Sequence, residues 1–240
     1  MLPVIRKGGH MRTKIILSNV ALFIVLLFHI SGVIGILFSP YQDWFIQNTP
    51  LNLLLMTLLL IITQKQKNIA FFLFFTIAFL VGFTAEIIGV NTSFLFGHYQ
   101  YGVVLGVKYF GVPLLIGINW FIIIYCTGVI ANQLYEWSNK KLADTNAEVK
   151  PVVRFISFII DGALLATMFD FIIEPVAVKM GFWHWLENGE IPFYNYACWF
   201  FISLLLLTVF RLLPFDKNNR LAVHLFIVQV LFFLSLRVFL

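Results

Sequence analysis

Carboxylates interrupt the long apolar runs of this 240-residue chain. Glu86 ends one run, and Asp170 and Glu174 lie four residues apart in another. A spacing of four places two side chains on one face of an α-helix. In surroundings of low dielectric constant, two neighbouring carboxyl groups are not both ionised, because desolvation and mutual repulsion favour the neutral form. A member that keeps its proton at neutral pH is a candidate general acid.

Polar and aromatic side chains follow each carboxylate at the same end of its apolar run. Those that could move a proton or contact a substrate are His98, Tyr99, Tyr101, Asn119, Trp120, His184, Trp185, Asn195 and Trp199. Their order repeats: a carboxylate (Glu86 or Glu174), a histidine beside an aromatic residue, an apolar residue before proline, an asparagine and a tryptophan. This echo predicts two helical hairpins that face each other across one site.

Some of these residues have a simpler interpretation. Trp183, Trp185 and Tyr101 equally fit the aromatic belt that membrane proteins place at the lipid–water interface. His29 and His224 are single histidines inside apolar runs, and we expect them to be packed and hydrogen-bonded instead of catalytic. A purely structural role is less expected for Glu86 and Asp170, because an ionisable group inside a membrane is costly and is a functional-site hypothesis by default.

The composition requires a lipid environment for most of the chain. Hydrophobic residues make up 61% of the sequence and charged residues only 11%, whereas soluble domains carry about 25% charged residues. The apolar runs reach the ~20 residues that an α-helix needs to cross a bilayer. Because lipid cannot satisfy backbone polar groups, the spanning segments are expected to be helices. The sequence therefore predicts an all-α membrane protein.

Seven apolar segments are candidate transmembrane helices. They are 15–38, 48–63, 69–89, 112–133, 152–178, 196–213 and 221–239. We expect one multi-pass domain over 1–240, with a basic tail at 1–14, a cytoplasmic loop at 134–151 and an outer-side pocket between the hairpins 69–133 and 152–213. Met11 is an alternative start of translation, because residues 1–10 show no structural pattern.

The positions of lysine and arginine predict the orientation. Thirteen of the sixteen fall on the side of the amino terminus, and the exceptions are Lys108, Lys179 and Arg237. Positive residues concentrate on the cytoplasmic side of membrane proteins, so the amino terminus is expected inside and the carboxyl terminus outside. The net charge of +5 is thereby explained by topology, and it gives no indication of nucleic-acid binding.

The sequence lacks the residues that several other classes of membrane protein require for their chemistry. The last apolar segment has no lysine for a retinal Schiff base, and five scattered histidines do not form a di-iron cluster. Asp170 and Glu174 form one acidic motif where a prenyltransferase needs two, and no Gly-rich phosphate loop or H-E-x-x-H motif occurs. Cys126 and Cys198 have no metal-type spacing. Acid–base chemistry on a lipid is the chemistry that remains.

The segment from Glu86 to Trp120 then resembles a known family, the integral-membrane carotenoid hydratases. That family includes the γ-carotene 1′,2′-hydratases and the bisanhydrobacterioruberin hydratases. The similarity covers roughly residues 80–200, and Ser93 departs from it where a glycine is expected after Thr92. The residues that carry it are Glu86, Gly89, Thr92, Phe96-Gly97-x-Tyr99-x-Tyr101, Leu105-Gly106, Val112-Pro113, Trp120, Asp170–Pro175, Trp183-x-Trp185, Ile191-Pro192 and Asn195-x-x-x-Trp199.

The resemblance implies the addition of water to the terminal C=C of an acyclic carotenoid end group, of lycopene or γ-carotene type. Its catalytic candidates are Glu86, Asp170, Glu174, His98 and His184, and the aromatic residues and amides named above bind the substrate. No cofactor or metal is implied. The partners are a carotenoid, water and membrane lipid, with no nucleic acid, in a bacterial or archaeal plasma (inner) membrane.

Two other functions use part of the same pattern. A proton-coupled transporter also carries carboxylates in its membrane segments, but it needs polar groups on both sides of the membrane midplane. A non-catalytic carotenoid-binding protein needs the apolar pocket without the carboxylates. The one-sided distribution of the polar residues favours an enzyme over the transporter.

Overall fold

A computed structural model describes residues 7–145, 148–186 and 189–240 of the chain. Helices account for most of these residues, together with four short strands. The helices are α1 (Lys7–Phe38), α2 (Gln42–Gln47), α3 (Thr49–Thr63), α4 (Ile69–Thr92), α5 (Leu115–Asp144), α6 (Pro151–Lys179), α7 (Phe193–Leu212) and α8 (Arg220–Phe239). The strands are β1 (Tyr99–Tyr101), β2 (Lys108–Tyr109), β3 (Val112–Pro113) and β4 (Trp183–Trp185).

The predicted all-α membrane architecture is confirmed. Each of the seven predicted segments corresponds to a helix, and among the described residues six helices are long and apolar enough to cross a bilayer. The segment expected at 48–63 is α3, whose 15 residues are fewer than the ~20 that span a bilayer. Helix α5 continues to Asp144, past the predicted end at residue 133, because its last turns are polar and can extend into water.

Local capping explains where several helices begin and end. Asn68 accepts a hydrogen bond from the backbone N–H of Phe71 at 3.0 Å and starts α4, and Asn219 caps α8 in the same way. Helix α4 ends at Ser93, which has a left-handed backbone with φ of 56°. Glycine is favoured in that conformation, which explains why a glycine was expected at this position.

Pro175 lies inside α6, where it removes one backbone donor. A proline at this position leaves the carbonyl of Phe171, four residues earlier, without its helical partner. The guanidinium of Arg237 in α8 donates to that carbonyl at 2.9 Å and lies over the Phe171 ring. The freed carbonyl is thus satisfied, and α6 keeps its helical course beside Glu174.

Helix α5 lies at the centre of the bundle. It contacts α3, α4, α6, α7 and α8, and it is the most buried of the six long helices. Aromatic rings from its neighbours pack around its middle, where Phe74, Phe121 and Phe210 are completely buried. Such burial stabilises the assembly mainly through close packing, because lipid is as apolar as the protein interior.

The connections between helices gather at two ends of the bundle. At one end, Tyr194 donates to the carbonyl of Phe94 and β1 pairs with β4 in an antiparallel ribbon. We call this the ribbon end. At the opposite end, Asn68 donates to the carbonyl of Pro214 at 2.8 Å, which joins the α3–α4 connection to the α7–α8 connection.

The ribbon of β1 and β4 joins two loops that are far apart in sequence. Tyr99 pairs with Trp185 and Tyr101 pairs with Trp183, on either side of the central pair of Gln100 and His184. Side chains alternate between the two faces of a strand, so the four aromatic residues of these pairs point into the bundle while the central pair is exposed. The sequence analysis expected no strand here, because three-residue strands carry too short a pattern to be recognised.

The orientation of the bundle remains a prediction that cysteine labelling can test. We expect a Val103→Cys variant, at the ribbon end, to react with a membrane-impermeant maleimide added to intact cells, and Lys65→Cys, at the opposite end, to react only after lysis. Both positions are exposed, whereas the native Cys126 and Cys198 are buried. The reverse labelling pattern would contradict the orientation with the amino terminus inside.

Candidate active site

Glu86 lies in a buried shell of hydrogen-bond donors. Its Oε1 accepts from Trp120 Nε1 at 3.0 Å. Its Oε2 accepts from the hydroxyl of Tyr101 at 2.8 Å and from the hydroxyl of Tyr99. Both tyrosines come from β1, whose alternation turns residues 99 and 101 to the same inner face. Three donors and no acceptor suit an ionised carboxylate.

Gly82 provides the space that Trp120 needs beside Glu86. A Cβ built at Gly82 would overlap the indole of Trp120, so a larger residue would displace the ring. Trp120 in turn stacks on Trp199 of α7, with ring centroids 3.9 Å apart and an angle of 11° between the planes. Helices α5 and α7 thus meet through two parallel aromatic faces.

Glu174 has a matching shell on the other side of the site. Its Oε2 accepts from Trp183 Nε1 at 2.9 Å and from Trp185 Nε1 at 3.1 Å. Its Oε1 accepts from Asn195 Nδ2 at 3.3 Å. The two tryptophans alternate on β4 as the two tyrosines do on β1, so each edge of the ribbon holds one glutamate.

Asp170 differs from both glutamates. Asn195 Nδ2 donates to its Oδ2 at 2.7 Å, and within the described ranges no group donates to Oδ1. The residue is 1% exposed, yet it lines the cavity between the two glutamate shells. One of its oxygens is therefore available to a proton or to a molecule inside that cavity.

The charge balance assigns the proton to Asp170. The residues that line the cavity include three carboxyl groups and neither lysine nor arginine. Three negative charges so close together in a dry space would repel strongly. Each glutamate accepts three hydrogen bonds, and hydrogen bonds to a carboxylate favour its ionised form. Asp170 accepts one hydrogen bond, so its ionised form is favoured less and it holds the proton.

The antiparallel register relates β1 and β4 by a local twofold axis through the Gln100–His184 pair, and similar groups lie on either side of this pair. Glu86 corresponds to Glu174, and the stacked Trp120 and Trp199 correspond to each other. Four residues before Glu86 the chain has Gly82, and four residues before Glu174 it has Asp170. The predicted echo therefore has a spatial counterpart, and the third carboxyl group is where the two halves differ.

Most of the predicted site residues line this one cavity, which lies between α4, α5, α6 and α7. Those that do are Glu86, Tyr99, Tyr101, Asn119, Trp120, Asp170, Glu174, Trp185, Asn195 and Trp199. His98 and His184 do not line it: both are exposed, and His184 forms a hydrogen bond with the side chain of Gln100 on the outer face of the ribbon. Among the described residues, no three side chains of His, Cys, Asp or Glu converge as metal ligands would.

Several residues in or beside the site were not assigned to it by the sequence analysis. For Trp183 the sequence analysis allowed both a place in the aromatic belt and a place in the site. Its spacing of two from Trp185 indicates that both residues lie on one face of a strand. Phe96 lines the cavity with a left-handed backbone, φ of 65°, and its N–H donates to Cys198 Sγ at 3.3 Å. Gly82 has a steric role, and no sequence signal distinguishes it from other helix glycines.

The fold and site define a class: a multi-pass membrane protein with carboxyl groups and aromatic rings around one internal cavity. The family model described as "carotenoid biosynthesis protein" matches residues 48–240. This chain belongs to that family, so its role in carotenoid biosynthesis and a carotenoid substrate are established at the level of the family. No curated protein and no solved structure matches the chain significantly.

We predict that Gly82→Ala displaces the indole of Trp120 and breaks its bond to Glu86. Overpacking of this kind costs about 1–3 kcal/mol, so the thermal midpoint of the purified protein should fall. The near-ultraviolet circular dichroism of the Trp120–Trp199 stack should weaken as well. Thr84→Val, at an exposed position of the same helix, is the control, and equal spectra for both variants would contradict the steric role of Gly82.

The tyrosines that bind Glu86 should ionise only at very alkaline pH. Burial, and next the negative charge of Glu86, raise the pKa of Tyr99 and of Tyr101 well above the ordinary value. Their contribution to stability is therefore complete below the unfolded-state pKa of about 10 and is lost as the pH rises through the higher folded-state pKa.

Ultraviolet titration of tyrosinate should show that fewer tyrosines ionise in the native protein than in the denatured protein at the same alkaline pH. In a variant with Tyr99→Phe and Tyr101→Phe, the difference should shrink by the absorbance of two tyrosines. An unchanged difference would show that these two hydroxyl groups ionise in the ordinary range.

Proposed function

We propose that the protein is a carotenoid hydratase, which adds water to the terminal C=C of an acyclic carotenoid end group. The observation that carries the proposal is Asp170, a buried carboxyl group with one oxygen available inside a cavity that two fully hydrogen-bonded glutamates and a tryptophan pair enclose. Hydration of an alkene needs a desolvated acid, a surface that tolerates positive charge, and water. The cavity offers groups for each of these needs.

Proton transfer from Asp170 begins the reaction. The proton of its carboxyl group adds to the less substituted carbon of the terminal C=C, where a C–H bond forms as the π bond breaks. The positive charge then rests on the tertiary carbon. The two neighbouring glutamates keep Asp170 protonated until the alkene is present. Proton transfer then becomes favourable because the cation forms next to these negative charges.

The tertiary cation is stabilised by the groups around it. Glu86 and Glu174 supply negative charge from two sides, and neither can collapse onto the cation easily because donors hold their oxygens in place. The indole faces of Trp120 and Trp199 add cation–π attraction, which is worth about 0.5–2 kcal/mol for each desolvated ring. Such preorganised charge is the main source of rate enhancement in dry sites.

Capture by water completes the addition. The oxygen of water forms a C–O bond with the cation, and one proton of that water passes back to the Asp170 carboxylate. Atoms and charges then balance, and the acid is restored for the next turnover. The cavity of about 30 Å³ has room for one to three waters, since each needs at least about 10–15 Å³.

The hydrocarbon part of the substrate fits the membrane setting of the site. A carotenoid polyene is comparable in length to the ~30 Å apolar core of a bilayer. Aligned with the helices, it would lie in the lipid-like part of the bundle with its end group near the ribbon end. The polar groups at that end would then face the only part of the substrate that reacts.

Asp170→Asn tests the acid directly in a carotenoid-producing host. We expect the hydroxylated pigment, heavier by one water molecule, to fall by about 10²–10⁴-fold, the usual contribution of a general acid. Glu86→Gln should also reduce the product, because the amide carries no negative charge and has one acceptor oxygen where the carboxylate has two for Trp120, Tyr99 and Tyr101. Pigment is measured by mass spectrometry and normalised to the amount of membrane-inserted protein.

Asp161→Asn is the matched control. Asp161 is an exposed aspartate of the same helix and lies outside the cavity, so its variant should keep full activity. Hydration that persists in both Asp170→Asn and Glu86→Gln would exclude the proposed chemistry. Carotenoid binding without any product in the wild type would favour the non-catalytic alternative, and proton flux without product would favour the transporter.

A further inference from the structure

A second cavity adjoins the first and has a different lining. Asn119, Ile116, Ile173 and Trp183 belong to both cavities, so the two are in direct contact. Most of its wall is apolar. Polar side chains nevertheless reach it from four helices: His29 from α1, Asn52 from α3, Asn119 from α5 and Gln229 from α8.

These polar groups lack partners within the part of the chain that the structure describes. Gln229 is 6% exposed, and neither its amide nor that of Asn119 forms a hydrogen bond there. The Oδ1 of Asn52 is buried without a partner. His29 donates from Nδ1 to the carbonyl of Val25 at 2.8 Å, so in the neutral ring Nε2 is left as an acceptor.

The buried Gln229 and the buried Oδ1 of Asn52 call for a ligand, because they face a cavity without a partner among the described residues. Buried polar groups in native proteins are almost always hydrogen-bonded, and each one left unpaired costs about 1–3 kcal/mol. The cavity lining contains neither Asp, Glu, Lys nor Arg, so its occupant is uncharged. Amide N–H groups, amide oxygens and an imidazole nitrogen together suit a molecule that both donates and accepts, and the smallest such molecule is water.

A third cavity continues the series of polar side chains from the second cavity toward the surface. It shares Ile36, Thr49, Asn52 and Phe232 with the second cavity. Further polar lining comes from Ser31 and Asn48, at the ribbon-end connection between α1 and α3. Its volume of about 370 Å³ exceeds the 70 Å³ of the second cavity. Amide and hydroxyl groups therefore mark a course from the ribbon end to Asn119.

We propose that the second and third cavities form a water inlet, and that Asn119 is the positioning residue that passes water to Asp170. The second cavity has room for about five waters, at 10–15 Å³ each. The presence of water in it does not depend on the proposed hydration, whereas the role of Asn119 rests on that function. An apolar site in lipid that consumes water needs such a supply, and this route avoids the stacked tryptophans.

Two buried methionines allow a direct test by radiolytic labelling in ¹⁸O-enriched water. Met180 lines the second cavity and is 5% exposed, whereas Met56 is 0% exposed and does not line either cavity. Hydroxyl radicals form where water is ordered, so Met180 should gain labelled oxygen at least several-fold faster than Met56. Peptide mass spectrometry of the full-length protein in lipid nanodiscs gives both rates.

Three outcomes of the labelling decide about the inlet. Labelling of Met180 that is as slow as that of Met56 overturns the proposal. Labelling that disappears when the wild type is saturated with carotenoid assigns the cavity to the hydrocarbon chain and also overturns it. Labelling that persists with carotenoid, and that falls several-fold in Gln229→Met, supports a water-filled cavity, because the variant keeps the volume and removes the amide.

Kinetics test the role of Asn119. Asn119→Leu should lower kcat on the order of tenfold, as the loss of one hydrogen bond implies, with the KM for carotenoid unchanged, and Asn119→Gln should recover part of the rate. A raised KM with unchanged kcat would assign Asn119 to substrate binding instead. Met180 labelling in Asp170→Asn separates the water inlet from the proposed hydration. If this variant still hydrates carotenoid, the proposed function fails. Met180 should nevertheless be labelled, because water in the second cavity does not depend on Asp170.

Discussion

The structure depends on keeping three carboxyl groups inside a membrane protein, in a cavity whose described lining includes neither lysine nor arginine. Isolated charges in such a place are too costly to persist. Here N–H and O–H donors stabilise the glutamates. Tyr99, Tyr101 and Trp120 donate to Glu86, and Trp183 and Trp185 donate to Glu174. Most of these donors come from the β1–β4 ribbon, so the ribbon is as important to the site as the helices. A lysine or arginine would neutralise this charge, which the proposed hydration uses to stabilise its cation.

The two hairpins place similar groups around the site, and the one position at which they differ explains how the site contains both charged and neutral carboxyl groups. Each hairpin contributes a glutamate, a pair of aromatic donors and a stacking tryptophan. At the corresponding position one turn earlier, one hairpin has Gly82 and the other has Asp170. The glycine makes room for Trp120, and the aspartate brings a third carboxyl group that the site can hold only as the acid. The asymmetry of a single position thus separates structural support from chemistry.

Family membership and geometry bear on different levels of the function. The match over residues 48–240 establishes the carotenoid biosynthesis family. The cavity shows which side chains lie together, and its hydrogen bonds indicate which protonation state of each carboxyl group is the most stable. The aromatic and acidic walls agree with hydration chemistry proposed from the sequence. The polar lining of the adjoining cavity adds the need for water, which neither the family nor the motifs address.

The sequence by itself determined the membrane class, the positions of seven apolar helices and most of the cavity-lining residues. It could do so because hydrophobic runs and costly intramembrane carboxylates are local signals. Only the tertiary structure separated the exposed His98 and His184 from Tyr99, Tyr101 and Trp185. The strands that decide this are three residues long, and pairing between distant loops leaves no local pattern. The same holds for Asn52 and Gln229, whose convergence on one cavity depends on how the helices pack.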